Sequence, residues 1–269
     1  MLKTSVLYEC AERIEKQIRV KTYPLAIKLL KSEDEIPKEA KRPKRDFGYC
    51  LSLCQAFSIS RREGITIAMM KEDMWCPEPV IGYGLAEPPQ YFLDGYNRFP
   101  DNVESLEAGA RWAREFPRFK VGEYIGIVST PLMKVEFEPD VVIVYCDSAQ
   151  LTRLMLAAAY RDGRDFLCRL SPHAACVYSV VIAVQNGDYQ ITVPCMGDRR
   201  RAIAQDDEMI FSIPKKKLND FIIGLRAAHK LNMNIPFGFT MMPQYKMPES
   251  YAKIARLMGM KKADESEID

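Results

Sequence analysis

Apolar residues recur along the chain with two spacings, one typical of helices and one typical of strands. Four apolar residues at helical spacing, with charged residues between them, lie between residues 7 and 18 and predict an amphipathic helix. Residues 141–145 are apolar without interruption, which is typical of a strand buried on both faces. Asp147-Ser148 follows directly and predicts the cap of a second helix.

The remaining segments repeat these two patterns without a regular alternation of strand and helix. Further strands are predicted at residues 24–30, 65–69, 124–128, 189–193 and 209–213, further helices at 49–62, 103–114 and 214–225, and either type at 176–185. This irregular order predicts an α+β fold, with a mixed, mainly antiparallel sheet and packed helices. We expect one domain over residues 1–260, with an optional division into two lobes near the proline-rich residues 88–102, and a charged tail at 261–269.

Composition narrows the classes of function. The 269 residues are 48% hydrophobic and 28% charged, with a net charge of +2, so neither nucleic acid nor a membrane is an expected partner. The start of the chain lacks a basic-then-apolar leader, and we therefore expect a cytoplasmic protein. In that reducing compartment the eight cysteines predict core packing, metal ligation or reactivity rather than disulfides. Only two histidines are present, which disfavours histidine-based catalysis and histidine metal sites.

Four cysteines stand in settings that suggest ligands. Cys54 shares a helical pattern with Cys50, Cys76 precedes a proline, Cys176 follows Ala174-Ala175, and Cys195 precedes Met196-Gly197. If their sulfurs meet, they form a thiolate site for a soft metal or an iron–sulfur cluster. No Cys-x-x-Cys pair occurs, which favours a cluster over zinc. Independent packing of each thiol is an equal alternative, and it is the expectation for Cys10, Cys146 and Cys168.

A basic turn follows the last of these cysteines. The run Gly197-Asp198-Arg199-Arg200-Arg201 resembles an anion-binding turn whose guanidinium groups suit a phosphate or carboxylate. Its three arginines also offset the charge of four thiolates, and Gly197, Arg199 and Arg200 are the selected binding residues. A solvated basic surface is the competing interpretation. His173 precedes Cys176 by three residues, so it is a candidate ligand or proton carrier, although a structural role is favoured.

The order of these motifs resembles a known family. The motifs are Phe47-x-x-Cys50, Cys54-Gln55-Ala56, Glu72-Asp73-x-x-Cys76-Pro77, Gly82-x-Gly84-Leu85, Thr130-Pro131-Leu132, Pro139-Asp140-Val141-Val142, Ala175-Cys176, Pro194-Cys195-x-Gly197-Asp198-Arg199-Arg200 and Ile213-Pro214. From residue 23 to residue 225 the chain resembles the uncharacterised archaeal and anaerobic-bacterial family catalogued as domain of unknown function 169. The resemblance implies a setting among anaerobes and supplies no established activity. Cys54, Cys76, Cys176 and Cys195 coincide with the cysteine pattern of the family, and Cys50 is extra.

Three hypotheses follow for the function. The first is a cysteine-ligated iron–sulfur protein, of the 4Fe-4S or a related type, with Cys54, Cys76, Cys176 and Cys195 as ligands and a redox or cofactor-related role in anaerobic metabolism. The second is a regulator or binding protein that captures a small anion and carries structural cysteines. The third, thiol catalysis, ranks last because no base is evident. The expected partner is a redox partner or a small anionic molecule, and formation of a homo-oligomer is left open.

Overall fold

Six strands form one sheet in which every neighbouring pair is antiparallel. The strands are β1 (Leu25–Leu30), β2 (Ile67–Met70), β3 (Gly126–Pro131), β4 (Val141–Cys146), β5 (Gln190–Thr192) and β6 (Met209–Pro214). Their order across the sheet is β2-β3-β1-β4-β6-β5. The structure is a computed structural model that describes residues 4–228, 230 and 249–259.

Eleven α-helices accompany the sheet in these ranges. They are α1 (Thr4–Arg13), α2 (Leu53–Glu63), α3 (Pro77–Gly82), α4 (Gln90–Leu93), α5 (Leu106–Glu115), α6 (Ser148–Ala159), α7 (Ala175–Tyr178), α8 (Val181–Asn186), α9 (Met196–Ala202), α10 (Leu218–Arg226) and α11 (Glu249–Leu257). Helices therefore occupy the segment at 176–185 whose type the sequence pattern left open. The predicted α+β class with an antiparallel sheet is confirmed. No helix in the described ranges is both long and apolar enough to cross a bilayer.

The central strand β4 separates two hydrophobic cores. Its side chains alternate, so that Val141, Ile143 and Tyr145 join the core that contains α2, α7 and α8. Val142 and Val144 point to the opposite core, which contains α1, α6 and α10. Because both faces of β4 are covered, all six of its residues are buried. The first of these two cores also contains Cys54 and Cys176, and Cys195 packs against it.

Helix α2 begins later than its apolar pattern predicts. Ser52 accepts a hydrogen bond from the Gln55 backbone and the Gln55 side chain accepts one from the Ser52 backbone, a capping box that starts the helix at Leu53. The expectation that Cys50 and Cys54 share a helical face is therefore wrong, because Cys50 precedes the cap. At the other end Gly64 ends the helix with φ 73°, a conformation that favours glycine.

The chain divides into two compact units, Met1–Asn234 and Ile235–Asp269. The first contains the sheet and helices α1 to α10, and the described part of the second includes α11. The single family domain at 1–260, and its division into lobes near 88–102, stay predictions. The predicted charged tail at 261–269 lies outside the described residues.

Candidate functional site

Each of the four candidate cysteines lies at the start of a helix. Cys54 and Cys176 are the second residues of α2 and α7, whereas Cys76 and Cys195 immediately precede α3 and α9. All four line one cavity of about 260 Å³. The fold thus brings together the thiols of four separate segments.

Local backbone geometry explains two of these positions. Cys195 caps α9 itself, because its Sγ accepts a hydrogen bond from the Asp198 backbone N–H at 3.4 Å. At α2 the cap is Ser52, whose Oγ lies 3.0 Å from the Sγ of Cys54. Both sulfurs therefore already have a polar neighbour that can donate a hydrogen bond.

Three of the cavity thiols are poor acids. Burial raises the pKa of Cys76 to about 12. Burial also raises the pKa of Cys54 and of Cys176, and in each case the nearby Asp198 carboxylate adds to the increase. These three thiols are therefore protonated at neutral pH and do not act as free nucleophiles.

A buried chain of polar groups starts at Asp198, beside Cys195, and continues through Tyr145 and Arg61 to Glu208. The Tyr145 hydroxyl donates to Asp198 Oδ2 at 3.0 Å, and the Arg61 guanidinium lies 3.9 Å from the centroid of the Tyr145 ring. Arg61 makes two hydrogen bonds to the Glu208 carboxylate, of 2.7 and 3.0 Å. Asp198 is 1% exposed, and the side chains of Arg61 and Glu208 are 1% and 3% exposed.

This chain of groups places net negative charge beside the thiols. It contains two carboxylates and one guanidinium, because the Tyr145 hydroxyl is neutral. Burial raises the pKa of Asp198 to about 6, and the hydrogen bond from Tyr145 and the charge of Arg61 oppose that increase. The carboxylate is therefore mainly ionised at neutral pH. Its charge adds to the increase in pKa of the neighbouring Cys54 and Cys176 thiols.

The cavity wall also contains Arg98, which lies outside the sequence motifs, and Arg201, the last residue of the basic turn. Arg98, whose side chain is 8% exposed, donates to Glu78 Oε1 at 2.6 Å and to Asn102 Oδ1 at 3.2 Å. Arg201 lies on the exposed side, with its guanidinium carbon 5.0 Å from the centroid of the Trp75 ring. These five side chains all line the cavity.

Arg98 reaches the cavity from a segment with an irregular sequence. Gly95 has φ 90°, and a Cβ at this position would lie 2.3 Å from the Ala110 backbone nitrogen of α5. This close approach holds the turn after α4 against α5, and the Arg98 guanidinium lies 3.9 Å from the Trp112 centroid. From the sequence, residues 88–102 indicate only a lobe boundary, because an irregular segment carries no periodic pattern that would point to Arg98.

The residues of the predicted basic turn separate. Gly197 lines the cavity. Arg199 instead donates to the Gln205 carbonyl oxygen, and Arg200 is exposed and absent from the cavity lining. Arg201, the next residue of the same run, is the one at the cavity.

His173 lies at the cavity, whereas Cys50 lies outside it. His173 lines the cavity, and its ring contacts Trp112 edge-on with centroids 6.0 Å apart. Burial and the charge of Arg98 lower the pKa of His173, so its imidazole is neutral at neutral pH. Cys50 lies outside the cavity lining, and its Sγ donates to the Glu72 carbonyl oxygen at 3.3 Å.

The other cysteines pack or bond locally. Cys10 and Cys146 belong to the core opposite the site, and Cys168 accepts a hydrogen bond from the Ile191 backbone at 3.2 Å. Within the described ranges, no three histidine, cysteine, aspartate or glutamate side chains are grouped so as to hold a metal ion. The four cysteines thus line one cavity without three of them being grouped in this way.

Comparison with known proteins yields a family and one relative. The family model of domain of unknown function 169, described as "Uncharacterised ArCR", matches residues 13–223. An uncharacterised protein of the archaeon Methanocaldococcus jannaschii is 23% identical over 202 residues, which cover 74% of this chain and 84% of the relative. No solved structure matches the chain. The family model confirms the resemblance that the ordered motifs indicated.

Proposed function

The chain belongs to the family catalogued as domain of unknown function 169, and we propose that its thiol cavity binds a cysteine-ligated iron–sulfur cluster. The ligands are Cys54, Cys76, Cys176 and Cys195. One observation carries the proposal, namely that cysteines from four separate segments line a single cavity of about 260 Å³. Cysteines that pack only as small hydrophobic residues have no reason to converge, and Cys10 and Cys146 lie in the other core.

A cluster suits this arrangement better than a single ion. Tetrahedral zinc requires four donors around one point, whereas each cysteine of a four-iron, four-sulfur cluster binds a different iron atom. The sequence also lacks the Cys-x-x-Cys knuckle that is typical of structural zinc sites. Among the described residues no three histidine, cysteine, aspartate or glutamate side chains are grouped to hold a metal ion, so metal analysis must distinguish the two guests.

The surroundings of the sulfurs support the same assignment. Cys195 accepts a hydrogen bond from the Asp198 backbone, and the Ser52 hydroxyl lies beside Cys54. Hydrogen bonds to the sulfurs are one of the means by which proteins tune a cluster. Bound in this cavity, the cluster would supply one-electron chemistry, and the protein would have a redox or cofactor-related role.

The raised thiol pKa values set a condition on assembly. Ligation requires thiolates, so three buried thiols must lose protons when iron binds. The buried negative charge of Asp198 makes that loss harder without a guest, and the positive charge of the incoming metal reverses this effect. We therefore expect assembly to improve as the pH rises from 6 to 8.

The experiment is expression and purification of the full chain without oxygen, followed by iron, sulfide and zinc analysis and visible absorption. The wild-type protein is expected to be coloured, with iron and sulfide in equal amounts. Single substitutions of Cys54, Cys76, Cys176 or Cys195 by serine should each reduce the iron content. Cys50→Ser is the matched control, because Cys50 precedes the helix that contains Cys54 yet lies outside the cavity.

The outcome that contradicts the proposal is equally specific. A folded, colourless protein without iron, obtained under these conditions, would exclude a resident cluster. Stoichiometric zinc without sulfide would replace the cluster by a zinc site. Equal loss of iron in Cys50→Ser and in the four cavity variants would show that the cavity is not the binding site.

A further inference from the structure

The exposed side of the thiol cavity contains a guanidinium group without an ionic partner. Among the described residues no carboxylate forms an ion pair with Arg201, and its guanidinium carbon lies 5.0 Å from the Trp75 centroid. The charge of the second cavity arginine, Arg98, is instead matched by Glu78 at 2.6 Å. One cationic fork therefore remains available at the cavity.

The remaining lining indicates the kind of anion that this fork suits. Leu53, Pro172, Ala174 and Met196 provide apolar surface, and Trp75, which is 45% exposed, offers an aromatic face beside the guanidinium. A single unpaired positive charge matches a monoanion, and a guanidinium fork binds the two oxygens of a carboxylate. The volume of about 260 Å³ is below the range of roughly 300–1,000 Å³ that drug-sized ligands occupy.

We propose that Arg201 and Trp75 form a subsite that binds the carboxylate of a small organic acid at the exposed side of the thiol cavity. The carboxylate accepts two hydrogen bonds from Arg201, and the apolar body of the acid lies against Trp75. The assignment of this acid as the substrate class of a redox site rests on the proposed function. The binding itself needs no cluster, so it can be measured separately.

The experiment is titration of the full-length protein with benzoate, acetate and inorganic phosphate, before and after reconstitution with iron and sulfide. Calorimetry gives the Kd, and tryptophan emission reports on Trp75, one of only two tryptophans. Benzoate is expected to bind more tightly than acetate, because only benzoate has a ring to cover the indole. Phosphate should bind more weakly than benzoate, because it offers no apolar surface to the indole and its dianionic form exceeds the single unpaired positive charge.

Neighbouring arginines supply the matched variants. Arg201→Ala should weaken benzoate binding at least ~10-fold, the loss expected for a charge-assisted pair of hydrogen bonds. Arg201→Lys keeps the charge without the fork and should recover part of the affinity. Arg200→Ala removes an equal charge one residue away and outside the cavity lining, and should leave the Kd unchanged.

Each result decides between the claims. Absence of benzoate binding, equal weakening by Arg200→Ala, or a preference for phosphate would overturn the carboxylate subsite. Benzoate binding in a protein that never takes up iron would sustain the subsite and refute the cluster. A cluster without benzoate binding would do the reverse.

Discussion

The buried ion pair between Arg61 and Glu208 permits a quantitative prediction about stability. Its two hydrogen bonds, of 2.7 and 3.0 Å, join side chains that are only 1% and 3% exposed. Removal of one partner from such a pair leaves an uncompensated buried charge, at a cost of about 3–5 kcal/mol. Glu208→Gln removes the charge while it keeps the size of the side chain and an oxygen acceptor for the Gln205 backbone.

The surroundings of Arg61 place the expected loss at the lower end of that range. After the substitution, the Asp198 carboxylate still interacts with the Arg61 charge, although no direct ion pair joins them. We therefore expect the free energy of unfolding to fall by about 3 kcal/mol. For a chain of this size that corresponds to a decrease in Tm of roughly 6–12 °C.

Thermal unfolding and urea titration of the purified full-length protein measure this change. Asp207→Asn is the matched control, because the adjacent Asp207 forms an ion pair with Lys21 in which both side chains are about half exposed. Its removal should change the free energy of unfolding much less than Glu208→Gln does, because solvent screens an exposed pair. A double-mutant cycle with Arg61→Met then isolates the coupling between Arg61 and Glu208. If Glu208→Gln destabilises no more than Asp207→Asn, the buried pair lacks the assigned role.

Three further predictions concern the thiol cavity. Asp198→Asn should lower the pKa of the buried cavity thiols, because it removes a neighbouring negative charge. Alkylation of the iron-free protein at fixed pH should therefore become faster, and an unchanged rate would contradict this. The iron-free protein should lose stability as the pH rises from about 9 toward 12, because the Cys76 thiol loses its proton at a lower pH in the unfolded state than in the folded state. Cys76→Ser should flatten the dependence of the urea midpoint on pH. Gly82→Ala should lower the free energy of unfolding by about 1–3 kcal/mol, because the new Cβ would lie 2.5 Å from the Val177 side chain. Gly82 ends the helix that follows Cys76, and Val177 belongs to the helix that contains Cys176. Iron uptake should therefore fall as well, and full uptake would show that this packing does not position the thiols.

Several features of the site were predictable because they depend on local chemistry. Ser52 and Gln55 form a capping box that can be read from adjacent residues, and Pro77 at the start of α3 has the same local character. Of these two signals only Pro77 enters the prediction, for Cys76, because the apolar pattern begins the Cys54 helix at residue 49 and misses the Ser52 cap. The order of the motifs was sufficient to identify the family.

Other features depended on packing between remote segments. Successive residues of an α-helix point in directions about 100° apart, so the run Arg199, Arg200 and Arg201 on α9 cannot reveal which guanidinium faces a cavity. Only the contact between α9 and the loop that contains Trp75 selects Arg201. Arg98 was missed for a related reason, since it reaches the cavity from a turn whose position is set by Gly95 and α5.

The sequence by itself determined the six strands, most of the longer helices, the α+β class, the family and the four unusual cysteines, because propensity and periodicity act over a few residues. The tertiary structure alone decided that these cysteines share a cavity, that Cys50 lies outside it, and that Asp198 and Tyr145 lie beside the thiols. The physical reason is that burial, charge and hydrogen bonding between distant residues arise only when the sheet and its helices pack together.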